Sequence, residues 1–138
     1  MPTAVVFRES TDPETKCAGC RTCELACAAR NGAASVNPRW ARIHVVLNSR
    51  ENPVPLVCRH CGKPPCVPAC SEGALHVNFH RVLLDAQRCT GCGDCVNACP
   101  FHAIRINLAT RKLLICDLCD GDPRCVHYCP QNVLHVSR

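Results

Sequence analysis

Aromatic residues are scarce in this chain. One Trp, one Tyr and three Phe make up 4% of 138 residues, too little for an ordinary hydrophobic core, and a small domain without one needs other staples. Long apolar runs are also missing: nothing approaches the roughly 18 residues that a membrane-crossing helix requires, so membrane insertion is not expected. The opening MPTAVVFRESTDPETK has no basic start leading into an apolar stretch and no twin arginine, which argues against an export signal and for a reducing, cytoplasmic setting. No Gly-rich phosphate loop, dinucleotide fingerprint or nucleophile–base set is present. The chain is therefore expected to be non-catalytic, with any catalysis lying in another polypeptide.

Cysteine is abundant. Sixteen fall into four runs: Cys17, Cys20, Cys23, Cys27; Cys58, Cys61, Cys66, Cys70; Cys89, Cys92, Cys95, Cys99; and Cys116, Cys119, Cys125, Cys129. Each run opens with C-x2-C and ends with C-x3-C. The first and third read C-x2-C-x2-C-x3-C, and Pro100 follows the third, as in the bacterial ferredoxin run that holds [4Fe–4S] clusters. Sixteen thiolates at four per cube predict four [4Fe–4S] clusters, hence a path for electrons. Because cluster binding and folding are coupled, the metal-free chain is expected to be largely unfolded. Zinc is the competing reading, since C-x2-C pairs also build closed tetrahedral sites. Four evenly built runs, two with a trailing proline (Pro100 and Pro130), suit zinc poorly. The seven histidines are not needed as ligands; His60 and His127 lie inside runs and are read as tuning, packing or solvent-facing groups.

The formal charge of +5 treats cysteine as neutral. Four clusters at about −2 each would take the chain to about −3, so the basic balance does not indicate a nucleic-acid partner. Lys63 and Arg88 flank runs and are read as surface or charge-balancing groups. Asp117, Asp120 and Asp122 are read as a solvated loop.

A short apolar stretch follows each run: 43–47, 75–77, 104–106 and 133–136. Residues 74–77 with 82–84, and 103–106 with 112–115, read as hairpins. The x3 spacing predicts short helices beginning near Cys23, Cys66, Cys95 and Cys125. Gly19, Gly62, Gly91 and Gly93 fit close approach of backbone to a cluster. Trp40 is expected to pack in the core. The fold class is α+β.

CAGCRTCELAC (17–27), CRHCGKPPCVPAC (58–70), CTGCGDCVNACP (89–100) and CDLCDGDPRCVHYCP (116–130), together with NPRWARIHV (37–45), resemble the four-cluster, polyferredoxin-like electron-transfer subunits of molybdenum and tungsten oxidoreductases. The resemblance is greatest to the small subunits of tungsten aldehyde oxidoreductase-type complexes. It implies two dicluster ferredoxin-like modules: an inner one, 58–108, and an outer one, 1–57 plus 109–138. It also implies four ligand sets, namely Cys17/Cys20/Cys23/Cys129, Cys116/Cys119/Cys125/Cys27, Cys58/Cys61/Cys66/Cys99 and Cys89/Cys92/Cys95/Cys70.

The implied partners are a large tungsten- or molybdenum-containing catalytic subunit and a second redox partner such as a flavin subunit or a ferredoxin, with higher-order assembly as a further expectation. Subunits of hydrogenases, formate dehydrogenases and CO dehydrogenases, and free polyferredoxin carriers, share most of these residues. Ser71 stands where many relatives have proline, which predicts a looser turn at Cys70. The chain ends nine residues after Cys129, so it is expected to lack the membrane-anchoring tail of some relatives.

Overall fold

A computed structural model describes residues 4–8, 16–31 and 36–137. Most of the stretch read for an export signal lies outside the described residues. The secondary structure consists of short helices and two-stranded antiparallel sheets. Strand β1 (Ala4–Phe7) pairs with β8 (Leu134–Ser137), and β2 (His44–Leu47) with β3 (Pro53–Leu56). Strand β4 (Leu75–Asn78) pairs with β5 (Arg81–Leu84), and β6 (Arg105–Asn107) with β7 (Lys112–Leu114). The last two are the expected hairpins.

Four helices carry the third cysteine of each run: α1 (Thr22–Asn31), α2 (Cys66–Ala69), α3 (Asp94–Ala98) and α4 (Arg124–Tyr128). Each begins within one residue of the expected position. Helix α1 packs on α4, and α2 on α3. In α1 the i, i+4 spacing puts Cys23 and Cys27 on one face, and both are buried. Glu24 is only 4% exposed. Its carboxylate takes Arg21 Nη1 at 2.9 Å and the Val45 N–H at 3.2 Å. That carboxylate is thus satisfied, and it ties α1 to β2.

Two strands have no counterpart in the expectations. The partners in β1–β8 lie at opposite ends of the chain, with Ala4 opposite Ser137, so no local pattern announces them. In β3, Pro53 and Pro55 read as breakers. A two-stranded sheet leaves each strand one free edge, where a missing N–H is tolerated.

The described residues form two buried cores. One gathers Val5, Cys23, Cys27, Ile43, Val45, Leu118, Cys125 and Leu134, with Trp40 packed against it. The other gathers Cys58, Cys66, Leu75, Val82, Cys89, Cys95, Ile104, Leu113 and Ile115. The β6–β7 hairpin runs across residue 108, and its far strand packs with the second core. No described helix is long and apolar enough to cross a membrane.

Candidate iron–sulfur sites

The backbone repeats around the cysteines. The third residue of every C-x-x-C has positive φ: Gly19 at 70°, His60 at 47°, Gly91 at 74° and Leu118 at 60°. This turn points its N–H back at the preceding cysteine. His60 N–H donates to Cys58 Sγ and Leu118 N–H to Cys116 Sγ, both at 3.4 Å. Composition signals the turn only where the residue is glycine; at His60 and Leu118 its position in the run is the only clue.

At Gly91 a Cβ would stand 2.3 Å from the Arg111 carbonyl oxygen, so glycine is required there. At Gly62 a Cβ would meet no protein atom within 4 Å. Two of the fourth cysteines also receive donors. The Ala74 N–H reaches Cys70 Sγ at 3.3 Å and the Arg42 N–H reaches Cys27 Sγ at 3.2 Å. Hydrogen bonds of this kind to cluster sulfurs tune iron–sulfur sites.

Three cavities of similar size lie among the described cysteines. One is lined by Cys17, Cys20, Cys23 and Cys129. A second is lined by Cys27, Cys116, Cys119 and Cys125. A third is lined by Cys58, Cys61, Cys66 and Cys99. Each draws one cysteine from a distant run, and most of the remaining wall is apolar or proline. Cys70, Cys89, Cys92 and Cys95 remain, and Cys70 lies near enough to Cys95 to raise its pKa. The groove between β1 and β3 is larger, but no cysteine lines it.

Burial dominates the electrostatics. It pushes the Cys23, Cys58 and Cys125 thiols up to about 12 and Cys95 up to about 11, and it raises Cys116 strongly as well. Metal binding needs thiolates, so these sites release protons as they load. After burial, and against opposing backbone N–H groups, neighbouring cysteines contribute in a telling way. Cys125 is pushed up by Cys27, Cys119 and Cys23; Cys116 by Cys125, Cys58 and Cys27; Cys95 by Cys70 and Cys66. Cys23 thus lies near Cys125, Cys58 near Cys116 and Cys66 near Cys95. Cys20 and Cys92 are the exposed members of the sixteen. Four thiols around a cavity, with N–H groups aimed at the sulfurs, fit an iron–sulfur cube.

The other residues singled out from sequence fall as follows. Asp117 does not sit in a purely solvated loop: Arg42 and Arg30 lie 3.2 and 3.4 Å from its carboxylate, and Asp120 takes Arg30 at 2.7 Å. His60 is buried, and its Nδ1 accepts the Val82 N–H at 3.0 Å. Burial lowers its pKa to about 4, Arg81 adds to that and Asp117 opposes it. His127 is exposed and pairs with Asp122. Arg88 pairs loosely with Asp85 at 3.7 Å. The Ser71 turn is not looser. The Gly73 N–H closes onto the Cys70 carbonyl at 3.3 Å, as His102 and Asn132 do onto Cys99 and Cys129 at 3.4 and 3.2 Å.

Residues 51–138 match a model described as a 4Fe-4S dicluster domain, and residues 14–30 match a 4Fe-4S binding domain. The aliphatic sulfonate oxidoreductase, polyferredoxin-like subunit of Pyrococcus furiosus is 39% identical over 116 residues, which cover 83% of this chain and 66% of that relative. The thiosulfate reductase electron transfer subunit PhsB of Salmonella typhi is 32% identical, over 91% of this chain and 72% of its own length. Among solved structures, a chain of the active site complex BamBC of benzoyl coenzyme A reductase with benzoyl-CoA is 27% identical with a TM-score of 0.50, covering 96% of this chain and 80% of that one. The dicluster model accounts for more than half of the residues and all but one of the cysteine runs, and the chain belongs to the 4Fe-4S dicluster domain family.

Proposed function

We propose that this chain is a non-catalytic electron-transfer subunit holding four [4Fe–4S] clusters, and that it relays single electrons between a catalytic oxidoreductase subunit and a second redox partner. The observation that carries this reading is the set of three near-equal cavities, each lined by four cysteines with one from a distant run. The assigned ligand sets are Cys17/Cys20/Cys23/Cys129, Cys27/Cys116/Cys119/Cys125, Cys58/Cys61/Cys66/Cys99 and Cys70/Cys89/Cys92/Cys95, in that order along the path. The order rests on the approach of Cys23 to Cys125, Cys58 to Cys116 and Cys66 to Cys95. A bound cluster supplies one-electron transfer. The protein supplies thiolates, N–H donors and apolar walls that keep water out. The exposed Cys20 and Cys92 mark the two ends at which partners would exchange electrons.

The proposed modules are an inner one, 58–108, and an outer one, 1–57 plus 109–138; the two buried cores support a two-module reading. A tungsten or molybdenum enzyme of the aldehyde oxidoreductase type is the proposed catalytic partner. The support is the resemblance of the motifs, together with relatives described as subunits of oxidoreductases. A flavin subunit or a ferredoxin is the proposed second partner, and the cytoplasm the proposed location. A hydrogenase, formate dehydrogenase or CO dehydrogenase partner, or a free carrier, is the alternative that co-purification of an untagged large subunit separates.

The test is iron and acid-labile sulfide per chain on anaerobically purified protein, with EPR after dithionite reduction. About sixteen of each, with broad spin-coupled signals, is the expected result. About eight or fewer irons, with zinc making up the difference, would overturn the continuous path.

A further inference from the structure

Four buried side-chain nitrogens among the described residues have no hydrogen-bond partner: Arg42 Nε, His44 Nδ1, His60 Nε2 and Asn107 Nδ2. Of these four residues, only Arg42 lines one of the cysteine cavities, the one walled by Cys27, Cys116, Cys119 and Cys125. The Nη1 of its guanidinium is anchored. Nη1 donates to the Ile115 carbonyl at 3.2 Å and stands 3.2 Å from the Asp117 carboxylate. The Arg42 backbone N–H already donates to Cys27 Sγ. Burial pushes the Cys27 thiol up, and the Arg42 N–H and guanidinium charge pull it down.

The cavities at Cys20 and Cys58 also have an arginine in their walls, but each is engaged elsewhere. Arg21 is taken by the Glu24 carboxylate. Arg59 lies over the Phe101 ring, 3.9 Å from its centroid. A buried guanidinium N–H without an acceptor carries a desolvation penalty that an arriving sulfur would relieve.

We propose that Arg42 Nε–H donates a hydrogen bond to a sulfur of the cluster held by Cys27, Cys116, Cys119 and Cys125, and that Arg42 thereby raises the reduction potential of that one cluster. The inference rests on the ligand assignment proposed above. Reduction adds one electron, taken here from dithionite, and the ligand set stays the same. A fixed cation and an N–H donor at the sulfur favour the more negative state.

The experiment uses the anaerobically purified holoprotein labelled with arginine carrying 15N at Nε. Pulsed EPR of the dithionite-reduced protein should show a weak 15N coupling on one cluster, and Arg42→Lys should abolish it. In EPR-monitored redox titrations, Arg42→Met should lower one of the midpoints and leave the others in place. Arg42→Lys, which keeps the charge, should lower it less. If Arg42→Met fails to load, the labelled wild type still decides. About sixteen irons per chain with no 15N coupling and unmoved midpoints would overturn the role of Arg42 alone. A clear iron deficit in the wild type would overturn the four-cluster assignment, and this inference with it.

Discussion

The first cysteine run and the other three are built on different backbones. In the second, third and fourth runs a helix of four or five residues stops at the last cysteine. A tight turn then closes three residues later on a positive-φ residue: Gly73, His102 or Asn132. In the first run the helix is ten residues long and continues past Cys27 to Asn31. The donors follow this division. Cys70 receives the N–H of Ala74, four residues on, whereas Cys27 receives that of Arg42, fifteen residues on. Three runs therefore close on themselves. The first is completed by tertiary structure: Glu24 holding Val45, and Arg42 bridging to Ile115 and Asp117.

The same division decides what could be read from sequence. The short helices and the two inner hairpins were legible because their signals are local: C-x3-C spacing and apolar pairs around a turn. The role of Arg42 was not legible, because its partners lie more than seventy residues away and a single arginine looks like a solvating charge. Asp117 was misread for the same reason. The left-handed turns at His60 and Leu118 were hidden because neither residue type announces positive φ.

Breaking a local turn should have the largest effect. Gly91→Ala puts a Cβ 2.3 Å from the Arg111 carbonyl at a φ of 74°, and strain plus clash should cost about 3 kcal/mol or more. The expected outcome is holoprotein that loads less iron and loses its brown chromophore much faster in guanidinium. Gly62→Ala, with open space around the added methyl, should stay within about 0.5 kcal/mol of wild type. Equal effects at the two glycines would show that the turn geometry around Gly91 is not what holds the run.

A smaller effect should appear where β2 meets the turn after Cys99. His44, on β2, is buried, and its pKa is lowered by burial first and by Arg105 second; a hydrogen bond to the His102 backbone and the Glu24 carboxylate pull the other way. Above its ordinary value of 6.5 the ring is neutral in folded and unfolded chains alike. As the pH falls below that value the unfolded chain takes up the proton first, so folding stability drops. Chromophore loss in guanidinium should therefore accelerate below about pH 6.5, and His44→Gln should flatten that dependence. An unchanged pH profile in the variant would remove His44 from the account.

The smallest effect tests whether the three local turns are equivalent. Cys99 and Cys129 precede proline in extended backbone, at φ −74°, ψ 115° and φ −70°, ψ 112°. Cys70 precedes Ser71 at φ −79°, ψ 104°, a conformation that a following proline accepts without strain. Ser71→Pro should therefore fit the native turn and restrict only the unfolded chain, a gain of about 0.5 kcal/mol. The measurement is the guanidinium midpoint for chromophore loss, which should rise slightly. A fall would mean that the Cys70 turn needs the Ser71 N–H or a different φ, and that this run closes differently from the two that carry proline.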